Sequence, residues 1–172
     1  MNYLDIKHVN MVNGEGLRTV IWVSGCSRNC PGCFSPHTHD KNGGIPFDDK
    51  AKEELFRDSK EEWCDGITFL GGEPLEHYNI DTIVELAREH KERFPCKTIW
   101  LYSGYTYNEI INSPKLSMVL KYIDVLCGGP FVQELKSPDL KWVGSSNQEV
   151  IYIKKRITQV VNIFNYSTAE DR

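Results

Sequence analysis

Four short runs of β-branched and aromatic residues punctuate this chain, and each leads directly into a glycine-bearing loop. Residues 19–23 run into Gly25, residues 66–70 into Gly71-Gly72, residues 98–102 into Ser103-Gly104, and residues 123–127 into Gly128-Gly129. The stretches between the four runs have helical character. Residues 48–63 are charged, with Asp48 as N-cap. In residues 79–94, Ile80, Ile83, Val84 and Ala87 recur at helical spacing up to Pro95, and residues 107–121 continue the pattern with a break at Ser113-Pro114. Residues 150–153 read as a last strand. Strands separated by helices need crossover connections, so the pattern predicts an α/β fold of parallel βαβ units. In such sheets the loops after the strands converge on one rim, which carries the chemistry.

The chain has 172 residues, enough for one domain that buries about two-thirds of its unfolded surface. The expected division is a single domain over 1–153 and a tail over 154–172. A net charge of −4, with Lys154-Lys155-Arg156 as the nearest thing to a basic patch, speaks against nucleic-acid binding. No apolar run approaches the ~18 residues of a membrane span, and residues 1–10 lack the apolar core of a secretion signal. The expectation is a cytoplasmic protein. In that reducing setting its six cysteines point to metal or redox chemistry rather than disulfides.

Three of them form the run Cys26-Ser27-Arg28-Asn29-Cys30-Pro31-Gly32-Cys33, with the spacing C-x3-C-x2-C. Electron-transfer [4Fe–4S] clusters are normally held by four cysteines. Three thiolates would leave one iron open to a substrate. A zinc site is the rival, completed by His37 or His39 as a Cys3His set. Cys64, Cys96 and Cys127 are scattered and read as small buried hydrophobes. Trp22, Trp63, Trp100 and Trp142 read as core or interface anchors.

Gly71-Gly72-Glu73-Pro74, the turn after the second strand-like run, couples a glycine pair to a carboxylate. A backbone without side chains lets a ligand approach closely. A small zwitterion suits such a turn, its ammonium meeting carbonyls and the acid.

The C-x3-C-x2-C run followed by Gly71-Gly72-Glu73-Pro74 resembles the radical S-adenosylmethionine superfamily. Within it, Val12-Asn13-Gly14-Glu15-Gly16, Val23-Ser24-Gly25-Cys26, Tyr102-Ser103-Gly104-Tyr105-Thr106 and Gly144-Ser145-Ser146-Asn147-Gln148 resemble the family that activates anaerobic (class III) ribonucleoside-triphosphate reductases. The likeness spans residues 2 to about 153. It implies a partial open (β/α) barrel of about five or six mostly parallel strands. It also implies a [4Fe–4S] cluster on Cys26, Cys30 and Cys33, with S-adenosyl-L-methionine chelating the fourth iron. Gly32, Cys33 and Phe34 would lie against that cofactor, with Phe34 near the adenine. Gly71, Gly72 and Glu73 would hold the methionyl ammonium, and Ser103 and Gly104 would flank the methionyl or ribose portion.

The implied reaction is reductive cleavage of S-adenosylmethionine to a 5′-deoxyadenosyl radical, which takes a hydrogen from a glycine of the large reductase subunit. The implied partners are that subunit and a low-potential electron donor. No general acid–base pair is required, so no residue is assigned as a conventional catalyst. Two other readings are an activase of the pyruvate formate-lyase type and a zinc-stabilised binding module. The reductase-activating family usually has Asp-Gly before Pro130-Phe131 and arginine before Gly144, where this chain has Gly128-Gly129 and Val143. If the two missing charges normally pair, Asp at 128 alone destabilises and Arg at 143 rescues it. The run 144–148 reads either as a polar loop or as part of a docking surface.

Overall fold

The structure, a computed structural model, describes residues 1–153; the expected tail at 154–172 lies outside the described residues. Seven strands form one open sheet: β1 (Asn2–Asn10), β2 (Arg18–Val23), β3 (Ile45–Pro46), β4 (Gly66–Gly71), β5 (Thr98–Ser103), β6 (Val125–Gly128) and β7 (Glu149–Tyr152). Their order is β3-β1-β2-β4-β5-β6-β7. The four central strands β2, β4, β5 and β6 are parallel, as the alternating pattern predicts. Both flanks are antiparallel, through β1 and β3 on one side and β7 on the other.

Seven strands exceed the expected five or six, and the extra ones lie at the start of the chain. In β1 only Tyr3 and Ile6 are buried, so few apolar side chains mark the strand and its period is hidden. β3 is two residues long, too short to leave a pattern, and its proline suits an edge.

The helices α1 (Asp49–Arg57), α2 (Ile80–Arg93) and α3 (Tyr107–Ile111) are each shorter than the segment that predicts them. Asp48 caps α1 by accepting from the Ala51 amide at 2.9 Å. Thr106 and Glu109 close a capping box on α3. The chain then passes Pro114 and re-coils only as a 3-10 turn over Leu116–Lys121.

Side chains alternate across a strand, so each central strand has two faces. One carries Ile21, Phe69, Leu101 and Leu126, which pack with Leu55 and Phe56 of α1 and Ile83 and Leu86 of α2 in the main core. The other carries Trp100, Val125 and Cys127, with Tyr102, Val150 and Tyr152 beside them. No helix covers this second face among the described residues. Instead, the loop over 129–148 folds across it and seats Trp142 edge-on against Trp100, with ring centroids 4.7 Å apart.

Arg18 anchors the β1–β2 hairpin from inside this face. It is fully buried and donates to Thr68 Oγ1, Thr98 Oγ1 and the carbonyls of Glu15, Ile67 and Thr98. All five acceptors are neutral. Burial lowers its guanidinium to about 10.

Candidate functional site

The register decides where the loops meet. Val23 pairs with Gly71, Phe69 with Leu101, and Ser103 with Gly128, so the four parallel strands end at one level. The loops that follow enclose a cavity of about 560 Å³ on the helix-free face. Cys26, Cys30 and Cys33 line it, together with Phe34, Gly71, Gly72, Glu73, Ser103 and Gly104. Of the predicted site residues, only Gly32 is absent from the lining. It is exposed at φ +70°, and a side chain there would overlap Gln133.

The cysteine loop is tied down at its base. The Gly25 amide donates to Thr38 O at 2.7 Å, Cys26 N to His39 O at 3.1 Å, and Cys33 N to Cys30 O at 3.1 Å. Ser35 N donates to the Cys33 thiol at 3.4 Å. The Ser27 amide and hydroxyl both donate to Glu76 Oε1. All six cysteines are free, and the three loop thiols are half-buried. Burial raises the Cys26 thiol above its ordinary value.

Three free thiols on one loop, opening into a cavity with a glycine-lined wall, fit the needs of a [4Fe–4S] cluster. The rival zinc set would need His37 or His39 as its fourth ligand. Among the described residues no three His, Cys, Asp or Glu side chains are grouped to hold one metal ion, and His37 points to solvent. His39 lines the cavity, its Nε2 buried without a hydrogen-bond partner. Cys127 reaches the same cavity from β6 and Tyr102 from β5, the buried Tyr102 hydroxyl having no hydrogen-bond partner. Burial pushes the Cys127 thiol up to about 12, which keeps it protonated. Cys96 is exposed rather than buried, unlike Cys64 and Cys127.

The glycine pair serves the protein's own packing first. A Cβ on Gly71, which sits at φ +112°, would lie 2.7 Å from the Val23 amide and carbonyl, and one on Gly72 would overlap the Gly25 carbonyl. The turn also hydrogen-bonds to the cysteine loop, Gly72 N to Val23 O at 2.8 Å and Glu73 N to Gly25 O at 2.8 Å. Asn79 joins both by donating to Ser24 O and Glu73 O. Close approach of backbone to backbone, rather than to ligand alone, is what demands glycine here.

Glu73 is 1% exposed and its carboxylate is well supplied with donors. Oε1 accepts from Leu75 N at 2.9 Å and Ser103 Oγ at 2.8 Å, and Oε2 accepts from Gly104 N at 2.7 Å. Burial raises its pKa, while these donors and the Arg28 cation hold it down. The predicted site residues Glu73, Ser103 and Gly104 therefore form one bonded unit.

Arg28 is the residue that sequence reasoning missed. From the middle of the cysteine loop it lies face-on to Tyr105 at 4.0 Å, with Nε 3.7 Å from Glu73 Oε2 and Nη2 3.7 Å from Glu109 Oε1. Gly104 leaves room for it, since a Cβ there would overlap Arg28 Cδ. The available signal was an arginine inside a loop otherwise made of turn formers and ligands.

Phe34 is 64% exposed, sits edge-on to Phe131 at 5.2 Å and carries the Lys136 ammonium 4.8 Å above its ring. A Cβ on Gly144 would lie 2.8 Å from it. The run 144–148 is an internally bonded turn: Ser145 is buried, and Gln148 accepts from the Gly144 and Ser145 amides while donating to Gly129 O. Trp22 and Trp142 line the cavity, Trp63 is exposed, and only Trp100 is fully buried. Val143 is on the cavity wall, whereas a Cβ on Gly128 would point at the Tyr105 carbonyl, 3.1 Å away, and at Leu126.

A family described as a 4Fe-4S single cluster domain matches residues 12–151. The chain is 37% identical over 150 residues to the anaerobic ribonucleoside-triphosphate reductase-activating protein of Haemophilus influenzae, covering 86% of this chain and 96% of that one. It is 38% identical over 156 residues to the protein of the same name from Escherichia coli K12, covering 90% and 100%. The corresponding protein of Enterobacteria phage T4 is 37% identical over 150 residues, covering 87% and 93%.

Proposed function

This chain belongs to the family of anaerobic ribonucleoside-triphosphate reductase-activating proteins, and on that footing we propose that it generates a glycyl radical on the large subunit of such a reductase. The observation that carries the proposal is the direct bonding of the Gly-Gly-Glu-Pro turn to the three-cysteine loop on the wall of one cavity.

Cys26, Cys30 and Cys33 would hold a [4Fe–4S] cluster, and Gly71, Gly72 and Glu73 the methionyl ammonium of S-adenosyl-L-methionine. When bound, these two groups supply the one-electron reductive cleavage of a carbon–sulfur bond. The protein's part is to bind, orient and exclude water. Gly72 and Glu73, hydrogen-bonded to Val23 and Gly25, fix the turn against the cysteines. Ser103 and Gly104, bonded to Glu73, would flank the methionyl or ribose portion. Cys33 would border the cofactor, Gly32 would shape the loop from outside the cavity lining, and Phe34 with Phe131 would offer an aromatic edge to the adenine. The open sheet with helices on one face is consistent with a partial (β/α) barrel, and the exposed Phe34 side of the cavity is where the reductase would close it.

A low-potential electron donor and a cytoplasmic setting complete the reading. No helix among the described residues is long and apolar enough to cross a membrane. We take 1–153 as one domain and 154–172 as its tail.

The test is anaerobic. Protein isolated without oxygen should carry about four irons with matching sulfide. Mixed with reductant, S-adenosylmethionine and the reductase, it should give a glycyl radical signal by electron paramagnetic resonance. Stoichiometric zinc without iron, or an iron-loaded protein that yields no radical on any glycyl radical enzyme, would refute the proposal.

A further inference from the structure

The cavity wall holds one carboxylate and one permanent cation. Among the described residues that line it, Glu73 is the only Asp or Glu and Arg28 the only Lys or Arg. They stand 3.7 Å apart, one from the turn after β4 and one from the cysteine loop. Opposite charges so placed present complementary partners to a group that itself carries both signs, such as the α-amino acid end of a ligand.

The two are not equally occupied. Glu73 already accepts three hydrogen bonds from the protein. Arg28 makes its ion pairs at 3.7 Å to Glu73 and Glu109, beyond the 2.7–2.9 Å of a charge-assisted hydrogen bond. Its Nε is buried with no hydrogen-bond partner. Yet the side chain is held firmly, its stem laid over Gly104 and its guanidinium stacked at 4.0 Å on Tyr105. A positioned planar cation with unspent donors in a cavity is a carboxylate receptor.

We propose that Arg28 binds the carboxylate of the ligand's amino-acid end, so that Arg28 and Glu73 together recognise a zwitterion. This rests on the reading of the cavity as an S-adenosylmethionine site and adds to it a specificity-determining residue. The cation stands on the cysteine loop between Cys26 and Cys30 and lines the same cavity as they do.

Binding can be measured by calorimetry on cluster-loaded, oxidised protein without reductant, so no turnover is involved. The probes are S-adenosylmethionine and its decarboxylated form, which keeps the ammonium and sulfonium but lacks the carboxylate. Arg28→Gln is expected to weaken S-adenosylmethionine roughly ten- to hundredfold, the worth of a charge-assisted hydrogen bond, and to change the decarboxylated probe less than about twofold by the same reasoning. Arg28→Lys keeps the charge and the stem, so it recovers part of the loss and carries the test if Arg28→Gln melts early. Equal losses for both probes would assign Arg28 a structural role through Glu73, and no loss for either would leave it without a role in binding. Both overturn the inference while leaving the cofactor reading intact. If the unaltered protein binds neither probe, the cofactor reading itself fails and takes the inference with it.

Discussion

Leu101 and Tyr102 are neighbours on β5 and meet opposite surroundings. Leu101 is fully buried among helix side chains in the main core, whereas Tyr102 looks into the cavity. The same division runs through β2, where Ile21 faces the helices and Trp22 the cavity, and through β6, where Leu126 and Cys127 divide likewise. One face supplies the stability, and the other, freed of helices, holds a site deep enough for a cofactor. The comparison teaches that changes on one face should spare the property of the other.

The strongest test of that separation removes a ligand. Cys30→Ala should lose the bound iron and abolish radical formation, measured by iron content and paramagnetic resonance. Its midpoint in urea without the cluster should stay close to that of the unaltered apoprotein, because the residue is half-buried and outside the core. The converse is Leu101→Ala, expected to cost about 2–5 kcal/mol in urea unfolding, while the fraction that remains folded still takes up iron.

The helix face also carries a pH dependence, centred on His90. His90 is fully buried, bonded through Nε2 to Ser59 Oγ at 2.9 Å, with Nδ1 unpartnered. Burial, with Lys91 and Arg18 adding repulsion, lowers its pKa from 6.5 to about 3. The unfolded chain therefore binds a proton that the folded one refuses. The corresponding stability is present above about pH 6.5 and is lost as pH falls toward 3. From pH 7 to pH 5 the loss attributable to His90 is about 2 kcal/mol. His90→Gln should remove that part of the slope, read from urea unfolding at the two pH values.

The smallest expected effect lies at the edge between the faces. Gly128→Asp should cost on the order of 1 kcal/mol by setting a carboxylate beside the Tyr105 carbonyl. Adding Val143→Arg should not restore it, since position 128 points at Tyr105 and Leu126 while Val143 lines the cavity. Recovery in the double variant would revive the idea of a charge pair and blur the division of faces.

Local chemistry is what the sequence determined by itself. The C-x3-C-x2-C spacing, the Asp48 cap, the break at Pro114 and the four runs ending in glycine loops each depend on residues a few positions apart. The alternation of strands and helices then implied a parallel centre and a shared rim, and the structure has both. The antiparallel flank was hidden, because β1 has only two buried side chains and the edge strand β3 has two residues. Only the tertiary structure decided which side chains meet across the rim. It joined Glu73 to Ser103 and Gly104 about thirty positions away, brought Arg28 over Gly104, and turned His39 inward while leaving His37 in solvent. It also moved the demand for Gly71 and Gly72 from a ligand to the backbone of Val23 and Gly25. Such contacts leave no period or spacing in the chain, since they are set by strand register and by the space that packing leaves free.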